Sequence, residues 1–273
     1  MFEDISKVIL LSDMDGTLLN GKKQITEIDR AAIKRFRELG GKFTVATGRT
    51  IQSFDQFRRL IDMPYPVIMY NGAAIHDFTS GKTLFTCPLP AECREIALDL
   101  YEAMPDAGGE VLKIDGTYVF RNTDYQKLHT KLCNIVPDYA EFSEIEEGGW
   151  LKVLFSMAPD DMDFFGAYVR NQGWDTVDFV RSSEMFWEML PKGVSKGFAL
   201  NEYRKLDGWQ DYTFVSIGDF DNDIEMIRAA DLGACPANAE DRVKEAAGLV
   251  LSHTNEDGAV AELIDYIIDR CGC

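Results

Sequence analysis

Val8-Ile9-Leu10-Leu11, followed by Asp13-Met14-Asp15-Gly16-Thr17, is the stretch of this 273-residue chain that says most about its fold. The apolar run is typical of a buried strand in a parallel sheet. Asp13 and Asp15 lie two residues apart where that strand ends, so their side chains can point the same way, and Gly16 permits a sharp turn. Ligands of open α/β sheets bind at the carboxyl ends of strands, which places both acids at the mouth of a predicted site. Taken alone, Asp-x-Asp-Gly also fits a calcium loop or an ordinary polar turn.

Predicted strands and amphipathic helices alternate through the first part of the chain. The sequence predicts strands at residues 7–12, 43–46 and 67–70, separated by helices at 27–39 and 50–61. This βαβαβ order predicts an α/β fold, a Rossmann-like parallel sheet with right-handed crossovers.

The middle of the chain has a different pattern. Helical segments there are mixed with hairpin signals such as Asp115-Gly116, and the βα alternation returns only from Lys192. We therefore predict a core built from residues 1–83 and 191–273, with an α+β domain inserted at 84–190. An inserted domain joined by two linkers can close over a site, exclude solvent and select the substrate.

Composition limits the classes of partner. The chain has 46 acidic and 28 basic residues, a net charge of -18, which disfavours nucleic acid and anionic membrane surfaces as partners. Any anion site must therefore be locally positive. Residues 1–4 are acidic, unlike a signal peptide, and no apolar run approaches a membrane span, so we expect a cytoplasmic protein that is monomeric or weakly homo-oligomeric.

The six cysteines are irregularly spaced, which does not indicate a disulfide framework. Cys271-Gly272-Cys273 fits a soft-metal clip, but a frayed, reduced tail is the favoured interpretation. The three histidines lie far apart in sequence without ligand spacing, which favours surface or structural roles.

Four motifs occur in order along the chain, three of them directly after predicted strands. They are Asp13-x-Asp15-Gly16-Thr17-Leu18, Thr47-Gly48-Arg49, Lys196 and Gly218-Asp219-x-x-Asn222-Asp223. Together they closely resemble the signature of the haloacid dehalogenase superfamily. Flanking stretches, among them Tyr70-Asn71-Gly72-Ala73 and Pro236-Ala237-Asn238-Ala239, resemble its Cof-like phosphatases, which carry a large α/β cap of type IIB.

The resemblance implies phosphoryl-transfer chemistry. Asp13 would be the nucleophile that forms an aspartyl phosphate, and Asp15 would act as general acid and base. Two carboxylates and a phosphate dianion repel one another, and Mg²⁺, which prefers oxygen ligands, would relieve that repulsion. The resemblance assigns the metal to the Asp13 carboxylate, the Asp15 backbone carbonyl, Asp219 and, directly or through water, Asp223.

Further residues receive roles only through the resemblance. Thr47 would donate its hydroxyl to the phosphate, and Lys196 would supply a positive charge to the phosphate and the nucleophile. We also expect phosphate or substrate contacts from Met14, Gly48, Arg49, Asn71, Gly72 and Asn222. Asp221 is predicted to cap the helix that follows it.

The expected activity is Mg²⁺-dependent hydrolysis of a small phosphorylated metabolite, with sugar phosphates as the leading substrate class. Two alternatives from the same fold remain open: a sugar phosphomutase, and a binding or regulatory protein without catalysis. A purely structural metal site is a third. Neither the substrate nor the inserted-domain residues that select it follow from the sequence.

Overall fold

The computed structural model describes residues 3–58 and 60–271, so Cys273 and Gly272 lie outside the described residues. Its strands, numbered in chain order, are Val8–Ser12 (β1), Lys42–Val45 (β2), Val67–Met69 (β3), Ala74–Asp77 (β4), Lys82–Thr86 (β5), Gly108–Leu112 (β6), Thr117–Arg121 (β7), Asp138–Tyr139 (β8), Lys152–Ser156 (β9), Val177–Arg181 (β10), Phe186–Pro191 (β11), Thr213–Ile217 (β12), Leu232–Cys235 (β13) and Leu249–Val250 (β14). Its α-helices are Glu27–Glu38 (α1), Ile51–Asp55 (α2), Cys93–Ala103 (α3), Asp124–Leu132 (α4), Met162–Gln172 (α5), Lys196–Lys205 (α6), Ile224–Ala229 (α7), Asp241–Ala246 (α8) and Ala259–Cys271 (α9).

The first of two compact units comprises residues 1–47, 57–85 and 195–273. Its main sheet has the strand order β14-β13-β12-β1-β2, and every pair in it is parallel. All five residues of β1 are buried, which explains why four of the five are apolar; the buried exception is Ser12. The predicted α/β fold with a parallel sheet is therefore confirmed.

Helix α1 shows how local sequence signals set an element of this unit. Thr26 caps the helix by accepting the backbone N–H of Asp29 at 3.0 Å. The buried Asp29 carboxylate in turn accepts the backbone N–H of Ala261 at 2.8 Å, which ties α1 to the first turn of α9. The predicted start of this helix agrees with the structure.

The second unit comprises residues 48–56 and 86–194. Its sheet has the order β10-β11-β9-β6-β7-β8, and its pairs are antiparallel except for β7 with β8. Helices α3 and α5 contribute to one apolar core around the aromatic side chains Trp150, Phe155 and Phe165.

Two helices depart from the sequence predictions. The helix expected at 50–61 is wrong in length: α2 ends at Asp55, and Phe57 and Ile61 are buried without continued helical backbone. Helix α4 was not predicted at all, because its inward face carries the buried polar residues Gln126, His129 and Thr130 and so has no apolar periodicity.

The cysteines and the lengths of the helices bear on two of the sequence predictions. Among the described residues, every cysteine has a free thiol. In the same part of the chain, none of the helices combines the length and apolar character that crossing a membrane requires.

Candidate active site

Strands β1 and β12 place two acidic residues side by side. The strands are parallel neighbours with Ser12 opposite Ile217, and the backbone N–H of Asp13 donates to the carbonyl of Ile217 at 2.9 Å. Asp219 follows β12 two residues later. Because both strands end at the same edge of the sheet, residues from distant parts of the chain converge there.

Three carboxylates meet at this edge. Asp13, Asp219 and Asp223 each offer one oxygen, and these oxygens all lie within 4.8 Å of one another. Asp13 and Asp223 are buried, while Asp219 is partly exposed. Carboxylate oxygens at this spacing form the donor set that a hard divalent cation prefers.

Lys196 is the cation that the chain itself supplies to this cluster. Its Nζ lies 2.6 Å from Asp13 Oδ1 and 2.7 Å from Asp223 Oδ1, and the side chain is almost completely buried. Ser195 caps α6, which fixes Lys196 as the first residue of that helix. Burial alone would lower the pKa of Lys196, but the two carboxylates outweigh it and raise the pKa, so the ammonium group stays charged.

The charge at the cluster is unbalanced, because three carboxylates face one ammonium group. Burial raises the pKa of Asp13 well above its usual range; Lys196 opposes this shift, while Asp223 and Asp219 add to it. Burial, followed by the Asp223 carboxylate, raises the pKa of Asp219 to about 7. A bound divalent cation would offset both the burial and the mutual repulsion of these carboxylates, so the residues present fit a metal ion.

Asp223 also organises the backbone of its own loop. Its Oδ2 accepts the backbone N–H groups of Asp219 at 3.0 Å and Phe220 at 3.1 Å. The sequence-based assignment of the capping role to Asp221 is wrong: Asp221 instead pairs with Arg242 at 2.6 Å. Asp223 therefore holds Lys196 with one oxygen and the loop with the other.

Asp15 stands apart from the acidic cluster. Its half-exposed carboxylate pairs with Lys23 Nζ at 2.7 Å. Lys23 has a positive φ of 58°, an uncommon backbone conformation for a lysine, and sequence reasoning gave no signal for its role. The predicted roles of Asp15 as general acid and base and, through its backbone carbonyl, as metal ligand stay predictions.

Most of the remaining predicted site residues lie in the same unit. Thr47 follows β2 and is buried, and its backbone carbonyl accepts the N–H of Asn71 at 3.1 Å. Asn71 Oδ1 accepts from Asn222 Nδ2 at 3.0 Å, so two predicted substrate residues contact each other. Met14 is buried, and its carbonyl accepts the N–H of Leu19 at 2.7 Å.

Gly72 is a glycine for a clear steric reason. Its φ is +102°, and a Cβ there would lie 2.0 Å from the carbonyl oxygen of Ser195, next to Lys196. Tyr70 and Asn71, the two residues before it, also have positive φ, a backbone conformation that is uncommon for residues other than glycine.

Gly48 and Arg49 belong to the second unit. The Gly48 carbonyl accepts from Lys152 Nζ at 2.9 Å, and Arg49 donates to Ser53 Oγ at 3.0 Å. Their predicted phosphate or substrate contacts stay predictions.

Sequence reasoning missed three residues that support the cluster. Thr17 Oγ1 donates to Asp219 Oδ1 at 2.5 Å. Asn238 Nδ2 donates to the carbonyl of Gly16 at 2.8 Å, and Asn238 Oδ1 accepts the N–H of Asn255 at 2.9 Å. Thr17 and Asn238 lie inside motifs that carried the family resemblance, but their partners are distant in sequence.

Gly16 gives a test of the cluster's geometry. Its φ is +91°, and a Cβ there would lie 2.3 Å from Asp219 Oδ2. We expect Gly16→Ala to displace Asp219 and to weaken divalent-cation affinity by about tenfold or more, measured by calorimetric titration with Mg²⁺. Gly81→Ala is the matched control, because Gly81 has a φ of +68° and nothing within 4 Å of the added Cβ. Equal Mg²⁺ affinity in the two variants would contradict this prediction.

Comparison with known proteins places this chain in a family. The family model described as haloacid dehalogenase-like hydrolase matches residues 10–264. The chain belongs to this family. The resemblance to Cof-like phosphatases of the haloacid dehalogenase superfamily is confirmed.

Named relatives of this family span nearly the whole chain. A pyridoxal phosphate phosphatase of Escherichia coli K12 is 26% identical, over 96% of this chain and 99% of its own length. A 5-amino-6-(5-phospho-D-ribitylamino)uracil phosphatase of Bacillus subtilis 168 is also 26% identical, over 97% and 98%. A crystal structure from Thermotoga maritima superposes with a TM-score of 0.78 at 25% identity, covering 95% of this chain and 97% of that one. The predicted enzyme class, phosphoric monoester hydrolase, agrees with these findings.

Proposed function

We propose that this member of the haloacid dehalogenase-like hydrolases is a Mg²⁺-dependent phosphatase of small phosphorylated metabolites. The observation that carries the proposal is the convergence of Asp13, Asp219 and Asp223 oxygens within 4.8 Å, with Lys196 Nζ bonded to two of them. Phosphoryl transfer requires mainly positioning and neutralisation of charge, and this arrangement supplies both.

The metal would be held by the carboxylates of Asp13, Asp219 and Asp223 and by the Asp15 carbonyl. When bound, Mg²⁺ supplies charge neutralisation and orients the phosphate. Lys196 opposes the effect of burial on the Asp13 carboxyl, which favours the ionised oxygen that attacks phosphorus. The product of this step is an aspartyl phosphate on Asp13.

Asp15 would handle the protons of both half-reactions. Its partial exposure leaves it accessible to a leaving group and to water, and Lys23 orients one of its oxygens at 2.7 Å. Asp15 first protonates the departing alkoxide. It then takes a proton from the water that hydrolyses the aspartyl phosphate.

A phosphate-release assay over a panel of metabolites tests the proposal. The panel contains sugar phosphates, the leading substrate class, together with pyridoxal phosphate and 5-amino-6-(5-phospho-D-ribitylamino)uracil, which the two named relatives act on. We expect hydrolysis with Mg²⁺ and at least about a hundredfold loss after chelation. Undiminished turnover in chelator, or no turnover on any phosphoester, would contradict the proposal.

We further propose that the inserted residues 84–190 select the substrate while the rest of the chain carries the reaction. The same panel, run with a chimera that takes this segment from a related enzyme, distinguishes the two contributions. We expect the preference to follow the inserted segment. A preference that stays with the core would contradict this division.

The raised pKa of Asp219 predicts how Mg²⁺ binding depends on pH. The pKa of Asp219 is about 7 in the folded chain against an ordinary value of 3.8. Between these two pH values, the metal-free folded protein keeps a proton on Asp219 that the unfolded chain has lost. Stability of the metal-free protein therefore falls as pH rises through this window. Mg²⁺ needs the deprotonated carboxylate, and we expect its gain in melting temperature to be larger at pH 8 than at pH 6.

The control for this prediction is Asp219→Asn. That variant should show little Mg²⁺-dependent gain in melting temperature at either pH, because the titrating ligand is gone. An equal gain at both pH values in the unaltered protein would show that Asp219 does not compete with protons for the ion.

A further inference from the structure

A buried polar row connects helix α4 to the sheet of the second unit. Gln126 Nε2 donates to Glu110 Oε2 at 2.6 Å, and Gln126 Oε1 accepts from Ser156 Oγ at 3.0 Å. His129 Nδ1 lies 3.0 Å from Glu110 Oε1. Glu110, on β6, is fully buried and His129 is 6% exposed, so this ion pair is held away from solvent.

Cys133 lies one helical turn after His129 and extends this row to the surface. Its Sγ is 3.4 Å from His129 Nε2, and the residue is partly exposed. The imidazole therefore faces a carboxylate through one nitrogen and a thiol through the other. The order nucleophile, base and orienting carboxylate is the arrangement that activates a cysteine.

The geometry argues against a metal clip at this place. His129 uses one ring nitrogen for Glu110 and the other for Cys133, and these three side chains are not among the described residues whose ligand atoms converge on one point. A role in apolar packing alone would not require a carboxylate next to the imidazole. His129 does pack edge-on against the Phe186 ring, with 4.8 Å between the ring centroids.

Charge around the sulfur favours the thiolate. Burial opposes the charged form of His129, but Glu110 and Cys133 together outweigh it and raise the pKa of His129 to about 10. Burial likewise opposes the Cys133 thiolate, but His129 outweighs it and lowers the pKa of the thiol, with a smaller contribution from Arg49. His129, Arg49 and Glu110 are the charged groups that act on this sulfur, and the first two are positive near neutral pH.

We propose that Cys133 is a reactive thiolate, paired with the His129 imidazolium, and that it is a modification site for hydroperoxides. The sulfur attacks the terminal oxygen of the peroxide, so an S–O bond forms and the O–O bond breaks. The sulfur is oxidised to a sulfenic acid and the peroxide is reduced. The leaving hydroxide or alkoxide takes the proton of His129 and departs as water or alcohol. His129 is thus the proton donor of this step, and Glu110 is a positioning residue that acts through His129.

This site is separate from the proposed phosphatase chemistry and does not depend on it. Cys133, His129 and Glu110 all lie in the second unit, and none belongs to the acidic cluster of Asp13, Asp219 and Asp223. The proposal therefore stands or falls on the reactivity of the thiol alone.

The first experiment is timed alkylation of the full chain with iodoacetamide, read by peptide mass spectrometry. Cys87 is the internal reference, because it is also partly exposed. We expect Cys133 to react at least about tenfold faster than Cys87 at pH 7. We also expect the midpoint of its rate against pH, the pH at which alkylation is half-maximal, to lie below the ordinary thiol pKa of 9.0. Equal rates at pH 7, or a midpoint at or above that value, would overturn the proposal without any variant.

His129→Gln tests the pairing. His253→Gln is its matched control, because His253 lies 3.9 Å from Glu262, whereas the histidine next to the Cys133 sulfur is His129. We expect His129→Gln to slow alkylation of Cys133 at pH 7 by about tenfold and to move the midpoint upward, whereas the control changes neither. A thermal melt confirms that each variant is folded. A folded His129→Gln variant with an unchanged midpoint would refute the pairing.

Peroxide reactivity is tested directly with hydrogen peroxide and dimedone, which traps sulfenic acid. We expect the dimedone adduct on Cys133 before any adduct on Cys87, and its loss in Cys133→Ser. An adduct that forms first on Cys87, or none on Cys133 after peroxide is consumed, would overturn the assignment.

Discussion

Replacing Asp13 with asparagine is expected to reduce phosphate release on the order of a thousandfold or more. An amide is a poor nucleophile, and without the aspartyl phosphate the reaction loses its two-step route. The variant should still fold, because it removes one of three mutually repelling carboxylates and leaves Lys196 bonded to Asp223 at 2.7 Å. Turnover on the best substrate of the panel and equilibrium binding of that substrate are the two measurements.

Asp221→Asn is the matched control for this substitution. Asp221 precedes Asp223 by two residues, but its carboxylate pairs with Arg242 and is not part of the cluster. We expect it to retain most of the turnover. If Asp13→Asn retained turnover comparable to that of this control, the covalent role of Asp13 would be wrong.

Replacing Lys196 with methionine is expected to lower both activity and stability. The substitution keeps most of the length of the side chain but removes the ammonium group that bonds to Asp13 at 2.6 Å and Asp223 at 2.7 Å. Removing one partner of a buried ion pair typically lowers the free energy of unfolding by about 3–5 kcal/mol. Turnover should fall by about a hundred- to a thousandfold, because a charge that stabilises the transferring phosphoryl group is lost.

Lys192→Met provides the comparison. Lys192 lies four residues earlier, is exposed and pairs with Asp178 on the surface, so its loss should change little. Denaturant unfolding at pH 8, with and without Mg²⁺, measures the loss of stability, and turnover of the folded variant measures the loss of activity. A folded Lys196→Met variant with nearly full turnover would mean that Lys196 serves only to balance charge in the resting protein.

Much of the core followed from short-range signals in the sequence. Strand β1 is buried along its whole length and four of its five residues are apolar, as is typical of a strand inside a parallel sheet, so the pattern is readable without structure. The caps at Thr26 and Ser195 are equally local, because each side chain accepts an N–H three residues on. For these reasons the α/β fold and the start of α1 at Glu27 were predictable.

The parts that were not predictable depend on long-range contacts. Nothing near Lys23 indicates that its ammonium group meets Asp15, which lies eight positions earlier, and the positive φ of Lys23 has no signal in the sequence either. Thr17 and Asp219 are 202 positions apart, and their hydrogen bond appears only when β1 and β12 pair. Helix α4 escaped detection because its buried face is polar, and the same property hid the row that ends at Cys133.

The pairing of β1 with β12 has a consequence for how the protein is made. While a ribosome extends the chain, β1 emerges early and can pair with β2, but its other edge has no strand to bind until β12 follows. Throughout that interval the nascent polypeptide carries an apolar strand with one open edge, a surface on which other chains can aggregate. Chaperones that shield such edges should therefore matter more for the yield of this protein than for its stability once synthesis is complete.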